Sequence, residues 1–250
     1  VYSATSSQGL LLMMEVLYNA AGLRLPLVMT VANRAVGAPI NIWNDHSDAM
    51  GVRDAGWIML FAETNQEAYD NYLQAMRIGE AVSLPIMICQ DGFITSHAIE
   101  NIELEETAEV RKFVGEYHPE NALIGRENAM AVGAYATPTY YIESKRQQAQ
   151  AMLDAKQVIL DVAAEFAKWT GRSYDLIEKY EMDDAEEAVI MIGSSAGTAK
   201  ETINKMRAEG HKVGLIKIRA FRPFPGAEIA EALKNVKAYA VMDKADSFNG

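Results

Sequence analysis

The sequence predicts an α/β protein built from two parallel-sheet domains. Short apolar runs alternate along its 250 residues with longer segments of helical periodicity. Strands separated by helices are typical of βαβ units and parallel sheets. The alternation stops between about residues 101 and 135, where glutamates, a proline and a glycine replace it, and then resumes. This interruption predicts an interdomain connection between two α/β halves.

The first half contains three short apolar runs that are bounded by turn-forming or polar residues. Their length and β-branched content favour buried strands over helices. These predicted strands cover residues 26–32, 57–62 and 85–89. Predicted helices cover residues 8–21, 48–55 and 65–83, where apolar residues recur at helical spacing or polar residues mark a helix start. Residues 33–44 are rich in Gly, Pro and Asn and therefore predict a loop.

The second half opens with a long predicted helix over Glu143–Thr170. Its apolar residues step by three or four positions, which is the period of one buried stripe. The stripe comprises Met152, Ala155, Ile159, Val162, Phe166 and Trp169. Gly171 is expected to end the helix. Further predicted strands cover residues 188–192, 212–218 and 236–242, and further helices cover residues 195–208 and 225–233.

Composition excludes several classes of protein. The chain carries 23 basic against 34 acidic residues, a formal charge of −11, which argues against a nucleic-acid or anionic-membrane surface. Its one cysteine, Cys89, cannot form an internal disulfide, a four-cysteine zinc site or an iron–sulfur cluster. No run of about 18 apolar residues and no secretory signal is visible, so we expect a cytoplasmic protein. Because the sequence starts at Val1 without a methionine, we expect a fragment trimmed at both ends.

The segment Gly193–Gly197 (GSSAG) fits the G-x-S-x-G pattern and lies between a predicted strand and a predicted helix. A nucleophile elbow occupies that position in α/β hydrolases, which would make Ser195 the nucleophile. Only His211 follows it in the sequence, and no aspartate lies between them, so no Ser-Asp-His order is present. The favoured interpretation is that Ser194 or Ser195 caps the following helix.

A second group contains carboxylates and histidines that follow predicted strands. Asp45, His46 and Asp48 lie in one loop, and Asp91 and His97 follow the strand over residues 85–89. Because parallel strands place their sites at their carboxyl ends, these side chains are candidates for a metal site or a proton relay. The alternative, which we favour, is that they order loops through hydrogen bonds to backbone groups.

Two arginine-containing segments also follow predicted strands. Arg34 comes directly after the strand over residues 26–32, and its guanidinium could hold a carboxylate or phosphate by two parallel hydrogen bonds. The alternative is a surface or ion-paired arginine. Arg219 and Arg222 flank aromatic residues and could bind a phosphate, although two nearby prolines favour a rigid turn.

Six motifs in order carry a resemblance to a known family. The chain resembles the alpha subunits of pyruvate:ferredoxin oxidoreductases, also called pyruvate synthases, within the 2-oxoacid:ferredoxin oxidoreductases. The resemblance covers nearly the whole chain. The motifs are Ser6–Met13, Ala32–Ala35, Asn44–Asp48, Asp91–Phe93 with Thr95–His97, Trp169–Tyr174 and Arg219–Phe224.

The resemblance implies a fold and a division of the chain. Residues 1–100 would form a thiamine-diphosphate pyrimidine-type domain that lacks its N-terminal part. Residues 101–135 would connect it to residues 136–250, a transketolase C-terminal-like domain that lacks its C-terminal part.

The resemblance also implies a reaction, cofactors and partners. Pyruvate would be oxidatively decarboxylated to acetyl-CoA and CO₂, reversibly, with coenzyme A as co-substrate and ferredoxin or flavodoxin as electron acceptor. Thiamine diphosphate and Mg²⁺ would be shared with or held by a beta subunit. The iron–sulfur clusters would lie on the beta and ferredoxin-like delta subunits, with a gamma subunit completing the complex. No nucleic acid and no membrane would take part.

For individual residues, the resemblance implies one substrate contact. Arg34 matches the arginine that holds the substrate carboxylate, whereas the glutamate that activates the thiamine pyrimidine would lie upstream of Val1. The residues expected to shape the site rim or a subunit contact are Asp45, His46, Asp48, Asp91 and His97. Two alternatives stay open: a non-catalytic assembly subunit on the same fold, and a hydrolase that uses Ser195.

Overall fold

A computed structural model describes residues 1–119, 131–133 and 135–245. Its first sheet has five strands in the order β1-β2-β4-β3-β8, and all neighbours are parallel except β3 and β8. These strands are β1 (Tyr2–Thr5), β2 (Val28–Asn33), β3 (Ile58–Ala62), β4 (Ile86–Asp91) and β8 (Ala220–Arg222). The predicted α/β class is confirmed for this half.

The second sheet has four strands in the order β5-β7-β6-β9. Strand β6 runs parallel to both of its neighbours, and β5 runs antiparallel to β7. These strands are β5 (Ile177–Tyr180), β6 (Glu187–Met191), β7 (Val213–Ile218) and β9 (Ala238–Val241). Two sheets dominated by parallel pairs therefore make up the fold, as the strand–helix alternation predicts.

Eight helices connect and cover the strands in the described part of the chain. They are α1 (Gln8–Leu12), α2 (Met14–Gly22), α3 (Ser47–Gly51), α4 (Asn65–Val82), α5 (Thr107–Val114), α6 (Pro138–Thr170), α7 (Ser195–Ala208) and α8 (Gly226–Leu233). Gly171 ends α6 in the left-handed conformation at φ 77°, which confirms the predicted stop. Thr64 caps α4 by accepting a hydrogen bond from the Glu67 amide at 3.1 Å.

Successive side chains along each strand of the first sheet point to opposite faces, so the sheet packs against a separate core on each face. On β4, Met87 and Cys89 face the second sheet, where they share a core with Ile190 and Ile216. The intervening Ile86 and Ile88 face α4 and α6. Helix α6, which the sequence assigns to the second domain, thus contributes its buried stripe to the first sheet. The domain boundaries at residues 100 and 136 stay a prediction.

Three short strands and one helix differ from the sequence-based expectation. Strands β1, β5 and β8 have only three or four residues, too few for a periodic pattern to reveal. The predicted helix over residues 8–21 is divided at Met13 into α1 and α2.

The interdomain stretch is predicted to be the least regular region of the chain, and its described part contains one short helix, α5. Phe113 of α5 packs on Phe166 and Trp169 of α6, with ring centroids 5.5 and 5.1 Å apart. This tertiary contact stabilises a helix whose local sequence gives little signal. Residues 120–130 of the same stretch lie outside the described residues. No described helix is both long and apolar enough to cross a bilayer.

Candidate functional site

The carboxyl ends of β2 and β4 meet at one edge of the first sheet. The two strands are parallel neighbours, and Asn33 at the end of β2 pairs in register with Asp91 at the end of β4. The residues that follow each strand, beginning with Arg34 and Gly92, therefore leave the sheet side by side. Open α/β sheets place their ligands at this edge.

Arg34 begins the loop after β2 and is half-buried. Its backbone amide donates to Oδ2 of Asp48 at 3.2 Å. Its guanidinium makes no hydrogen bond or ion pair with any residue in the described ranges. No residue in the described ranges therefore supports an ion pair of Arg34, and its guanidinium stays available for a planar anion.

Asp48 lies buried beneath the Arg34 loop rather than on a rim. Both of its carboxylate oxygens accept two hydrogen bonds, so its capacity is filled. Burial raises the pKa of this carboxyl, and the hydrogen bonds that it accepts oppose the rise. The donors are the Ser7 amide (2.9 Å), Asn33 Nδ2 (2.8 Å), the Arg34 amide and the Ala49 amide (2.7 Å).

Asp91 is the second buried carboxylate of this edge, and it joins the two sheets. Its carboxylate accepts hydrogen bonds from three segments, which are the loop after β2, the turn between β6 and α7, and the segment after β9. The donors are His46 Nε2 (2.7 Å), Lys244 Nζ (2.8 Å), Asn44 Nδ2 (3.3 Å), and both the amide (2.9 Å) and hydroxyl of Ser194. Burial alone would raise the pKa of Asp91, but the bonds from His46, Lys244 and Ser194 hold it well below its usual range.

Gly193 shows how closely the second sheet approaches this carboxylate. Its φ is +70°, and a Cβ at this position would lie 2.8 Å from Oδ1 of Asp91. Any side chain would therefore collide with the carboxylate, in addition to straining the backbone. The first glycine of GSSAG is required by this contact between the sheets.

His46 carries a positive charge in this environment. Nδ1 lies 2.5 Å from Oδ1 of Asp243, and Nε2 lies 2.7 Å from Oδ1 of Asp91, so both ring nitrogens face carboxylate oxygens. Both must donate, which requires the imidazolium form. Burial alone would lower the pKa of His46, but the two carboxylates outweigh it and raise the pKa to about 9.

We expect the stability of the protein to fall as pH rises from 6.5 to 9. The folded-state pKa of His46, about 9, lies above its ordinary value of 6.5. Its stabilising contribution is therefore complete below pH 6.5 and is lost as pH rises through about 9. Unfolding midpoints in urea across this range measure the effect.

His46→Gln should flatten that dependence, because glutamine does not titrate. The exposed His211 is the matched control, and His211→Gln should leave the slope unchanged. An unaltered slope in His46→Gln would contradict the assignment of charge to His46.

The remaining two of the five rim candidates lie outside the buried network. Asp45 accepts from the Ser47 amide at 2.6 Å at the start of α3, as the loop-ordering interpretation predicts. His97 is exposed, stacks on Phe93 with ring centroids 4.7 Å apart, and hydrogen-bonds Ser96. Within the described ranges, no group of three or more His, Cys, Asp or Glu is arranged to hold a metal ion.

The prediction that Ser194 or Ser195 caps α7 with its side chain is wrong. Ser194 occupies the cap position but makes no capping hydrogen bond, because its hydroxyl donates to Asp91. Asp91 is a poor base, since its pKa is held low. His211 is exposed on the surface. Lys244 Nζ lies 3.3 Å from Ser194 Oγ, but it donates to that oxygen and to Asp91 and does not accept from the serine.

We therefore expect no labelling of this chain by a fluorophosphonate probe. Hydrolases activate their serine by a neighbouring base that accepts its proton, whereas the Ser194 hydroxyl donates to Asp91, which is a poor base. Mass spectrometry of the protein after incubation with the probe measures this. A stoichiometric adduct on either serine would instead restore the hydrolase hypothesis.

Arg219 is fully buried and does not form a phosphate site. Its Nε and Nη2 donate to Oδ1 of Asn71 at 2.9 and 2.7 Å, and Nη2 also donates to Oε1 of Gln74 at 3.1 Å. The expected rigid turn is also only partly right, because residues 220–222 form β8 against β3.

Sequence reasoning missed several members of the two carboxylate networks, among them Asn33, Asn44, Asp243 and Lys244. Asn33 ends β2, and Asp243 and Lys244 follow β9 by two and three residues. The rule that parallel strands place functional groups at their carboxyl ends would have marked them. No local signal marks Asn44 beyond its loop.

Two family models match the chain in order. Residues 1–164 match the family described as pyruvate flavodoxin/ferredoxin oxidoreductase, thiamine diphosphate-binding. Residues 185–250 match pyruvate:ferredoxin oxidoreductase core domain II. The first match alone covers more than half of the chain.

Curated relatives resemble the chain over nearly its whole length. Pyruvate synthase subunit PorA of Methanocaldococcus jannaschii is 46% identical over 97% of this chain, and that of Thermotoga maritima is 48% identical over 98%. Ketoisovalerate oxidoreductase subunit VorA of Pyrococcus abyssi is 44% identical over 99%. The chain spans only 64%, 63% and 63% of these three relatives, respectively.

A solved structure shares the fold. The 2-oxoglutarate:ferredoxin oxidoreductase from Magnetococcus marinus, with 2-oxoglutarate, coenzyme A and succinyl-CoA bound, superposes with a TM-score of 0.71 at 18% identity. The match covers 97% of this chain and 45% of that one. At this identity the likeness establishes the architecture of two α/β units and nothing finer.

Proposed function

The chain belongs to the pyruvate flavodoxin/ferredoxin oxidoreductase family, and from this membership we propose that it is the alpha subunit of a multi-subunit pyruvate:ferredoxin oxidoreductase. The complex would convert pyruvate and coenzyme A reversibly to acetyl-CoA and CO₂ and pass the electrons to ferredoxin or flavodoxin. The observation that carries the proposal is the half-buried Arg34, whose guanidinium has no partner among the described residues. It lies at the ligand-binding edge of a sheet whose family binds thiamine diphosphate.

Arg34 would hold the carboxylate of the 2-oxoacid. A guanidinium stays charged at every physiological pH, and its two parallel N–H groups match a carboxylate. Holding that group fixes the angle at which the bond to CO₂ breaks, which is an effect of orientation. The backbone of Arg34 is anchored by Asp48, so the side chain extends from a fixed base.

The described residues do not fit the Mg²⁺–diphosphate part of thiamine diphosphate. The buried carboxylates at this edge are already engaged, because Asp48 accepts two hydrogen bonds on each oxygen and Asp91 is paired with the side chains of His46 and Lys244. We propose that the diphosphate and Mg²⁺ are held by a beta subunit. When bound, the cofactor supplies the electron sink that decarboxylation needs.

The electron-transfer centres would also lie on partners. Cys89 is the only cysteine, and it is fully buried in the core between the sheets. Burial raises the pKa of its thiol well above the usual value, so the thiolate that a cluster requires does not form. We propose iron–sulfur clusters on the beta and ferredoxin-like delta subunits, a gamma subunit, and a cytoplasmic location for the complex.

Reconstitution tests this function directly. The full-length subunit is purified with the chains that accompany it, the partners are identified by mass spectrometry, and reduction of a viologen dye is followed with pyruvate and coenzyme A. Cysteine-rich, thiamine-binding partners and pyruvate-dependent reduction are expected. 2-Ketoisovalerate in place of pyruvate tests the substrate, because a relative that acts on it is nearly as similar. A complex without thiamine or without 2-oxoacid-dependent reduction would contradict the proposal.

A further inference from the structure

We infer that Asp48 is the positioning residue that sets the direction of Arg34. The inference rests on the proposed function, in which Arg34 holds the substrate carboxylate. Asp48 does not reach the edge itself, because its side chain is fully buried. It acts through the backbone on which the arginine is mounted.

The contacts of Asp48 bring three separate segments to one point. Oδ2 accepts from the amides of Ser7, in the turn after β1, and Arg34, in the loop after β2. Oδ1 accepts from the side chain of Asn33 and from the amide of Ala49 in α3. Hydrogen bonds to a charged acceptor are stronger than neutral ones, and removing the acceptor leaves buried donors unsatisfied.

A second set of contacts holds the same loop from the side of β1. Ser6 Oγ donates to the carbonyl of Ala32 at 2.7 Å, and Ser7 Oγ lies 2.6 Å from the carbonyl of Ala35. Ser7 is held at φ +50°, which a non-glycine residue seldom adopts. The peptide groups on both sides of Arg34 are thus fixed, and Asp48 supplies the one charged group among these contacts.

The donor arrangement makes asparagine an informative substitute at position 48. All four partners of Asp48 are N–H groups, two on each oxygen. An asparagine amide would turn an N–H toward two of them in either orientation, although its shape is nearly that of aspartate. Asp48→Asn therefore releases the loop while filling the same space.

A double-mutant cycle in the complete, partner-loaded enzyme tests the inference. Asp48→Asn, Arg34→Ala and the double variant are compared by kcat and KM for pyruvate and by thiamine titration. We expect Asp48→Asn to lower kcat/KM about ten- to a hundredfold, because a misplaced contact group costs that much. In the Arg34→Ala background, the same substitution should cost less than about twofold, since its route of action is already removed. Thiamine affinity should stay unchanged in all three.

Asp70→Asn is the matched control. Asp70, on α4, is also fully buried, but it pairs with Arg172 and Tyr174 after α6, away from the Arg34 loop. It should lower thermal stability without changing KM for pyruvate. If Asp48→Asn prevents assembly, Asn33→Ala takes its place in the cycle, because it removes one side-chain donor to Asp48 Oδ1 and keeps the carboxylate.

The outcomes distinguish the positioning role of Asp48 from the carboxylate-binding role of Arg34. If Arg34→Ala is damaging and Asp48→Asn costs equally in both backgrounds, Asp48 is merely structural and the inference is overturned. If Arg34→Ala has wild-type kinetics, the carboxylate role of Arg34 fails, and the inference fails with it. If Asp48→Asn is damaging in the wild-type background and has little effect in the Arg34→Ala background, both the positioning role of Asp48 and the carboxylate role of Arg34 are supported.

Discussion

Replacing Arg34 by lysine in the complete enzyme is expected to lower kcat/KM for pyruvate by about one to two orders of magnitude. Charge is retained, but lysine is a point donor and cannot make the two parallel hydrogen bonds of the guanidinium. The loss of one charge-assisted bond corresponds to roughly 1.5–3 kcal/mol of transition-state stabilisation. Arg34→Ala should cost more, because it removes the charge of Arg34 as well as both of its hydrogen bonds to the carboxylate.

Dye reduction with pyruvate, run beside thiamine titration, measures this effect. Thiamine affinity should barely change, since its diphosphate is proposed to lie on the partner chain. Arg77→Lys is a matched control, because Arg77 pairs with Glu165 between α4 and α6, away from the sheet edge. Wild-type turnover in Arg34→Ala would remove the carboxylate role. Equal losses of thiamine affinity and activity would make Arg34 structural.

Replacing Asp91 by asparagine is expected to destabilise the protein by about 3 kcal/mol or more. The substitution removes the charge that faces the imidazolium of the fully buried His46 and the ammonium of Lys244. It also sets an amide N–H against groups that donate. The cost of the buried histidine dominates, because the Lys244 side chain is about one-third exposed and water replaces part of its lost partner.

Urea unfolding of wild-type and variant protein measures this loss. Asp54→Asn is the control for the same chemical change. Asp54 pairs with Arg222 on the surface, with its side chain 67% exposed, and such pairs contribute about 1 kcal/mol or less. Equal, small losses in both variants would show that Asp91 does not carry a buried charge network.

The long, periodic elements could be predicted from the sequence because their signal is local. The stripe of α6 repeats over about five turns, and Gly171 adds a stop signal at its end. Strands β2, β3 and β4 are continuous apolar runs, because both of their faces are covered. Arg34 could be placed at the carboxyl edge for the same reason, since it directly follows one of these runs.

The short elements could not be predicted because their stability comes from partners distant in sequence. β8 exists through its pairing with β3, more than 150 residues away in the chain. Helix α5 depends on the contact between Phe113 and the aromatic residues of α6. Local propensity is weaker than such tertiary contacts, so a sequence window of ordinary length does not contain the deciding information.

The sequence by itself determined the α/β class, the position of Arg34 after a buried strand and the lack of cysteine ligands for a cluster. Only the tertiary structure decided which carboxylates work together. Asp48 and Asp91 look alike in the sequence, each beside a loop, yet Asp48 holds the Arg34 backbone whereas Asp91 joins the two sheets. The role of a buried charge depends on which donors the fold brings to it. The donors to Asp91 come from segments as far apart as His46 and Lys244, which no local pattern relates.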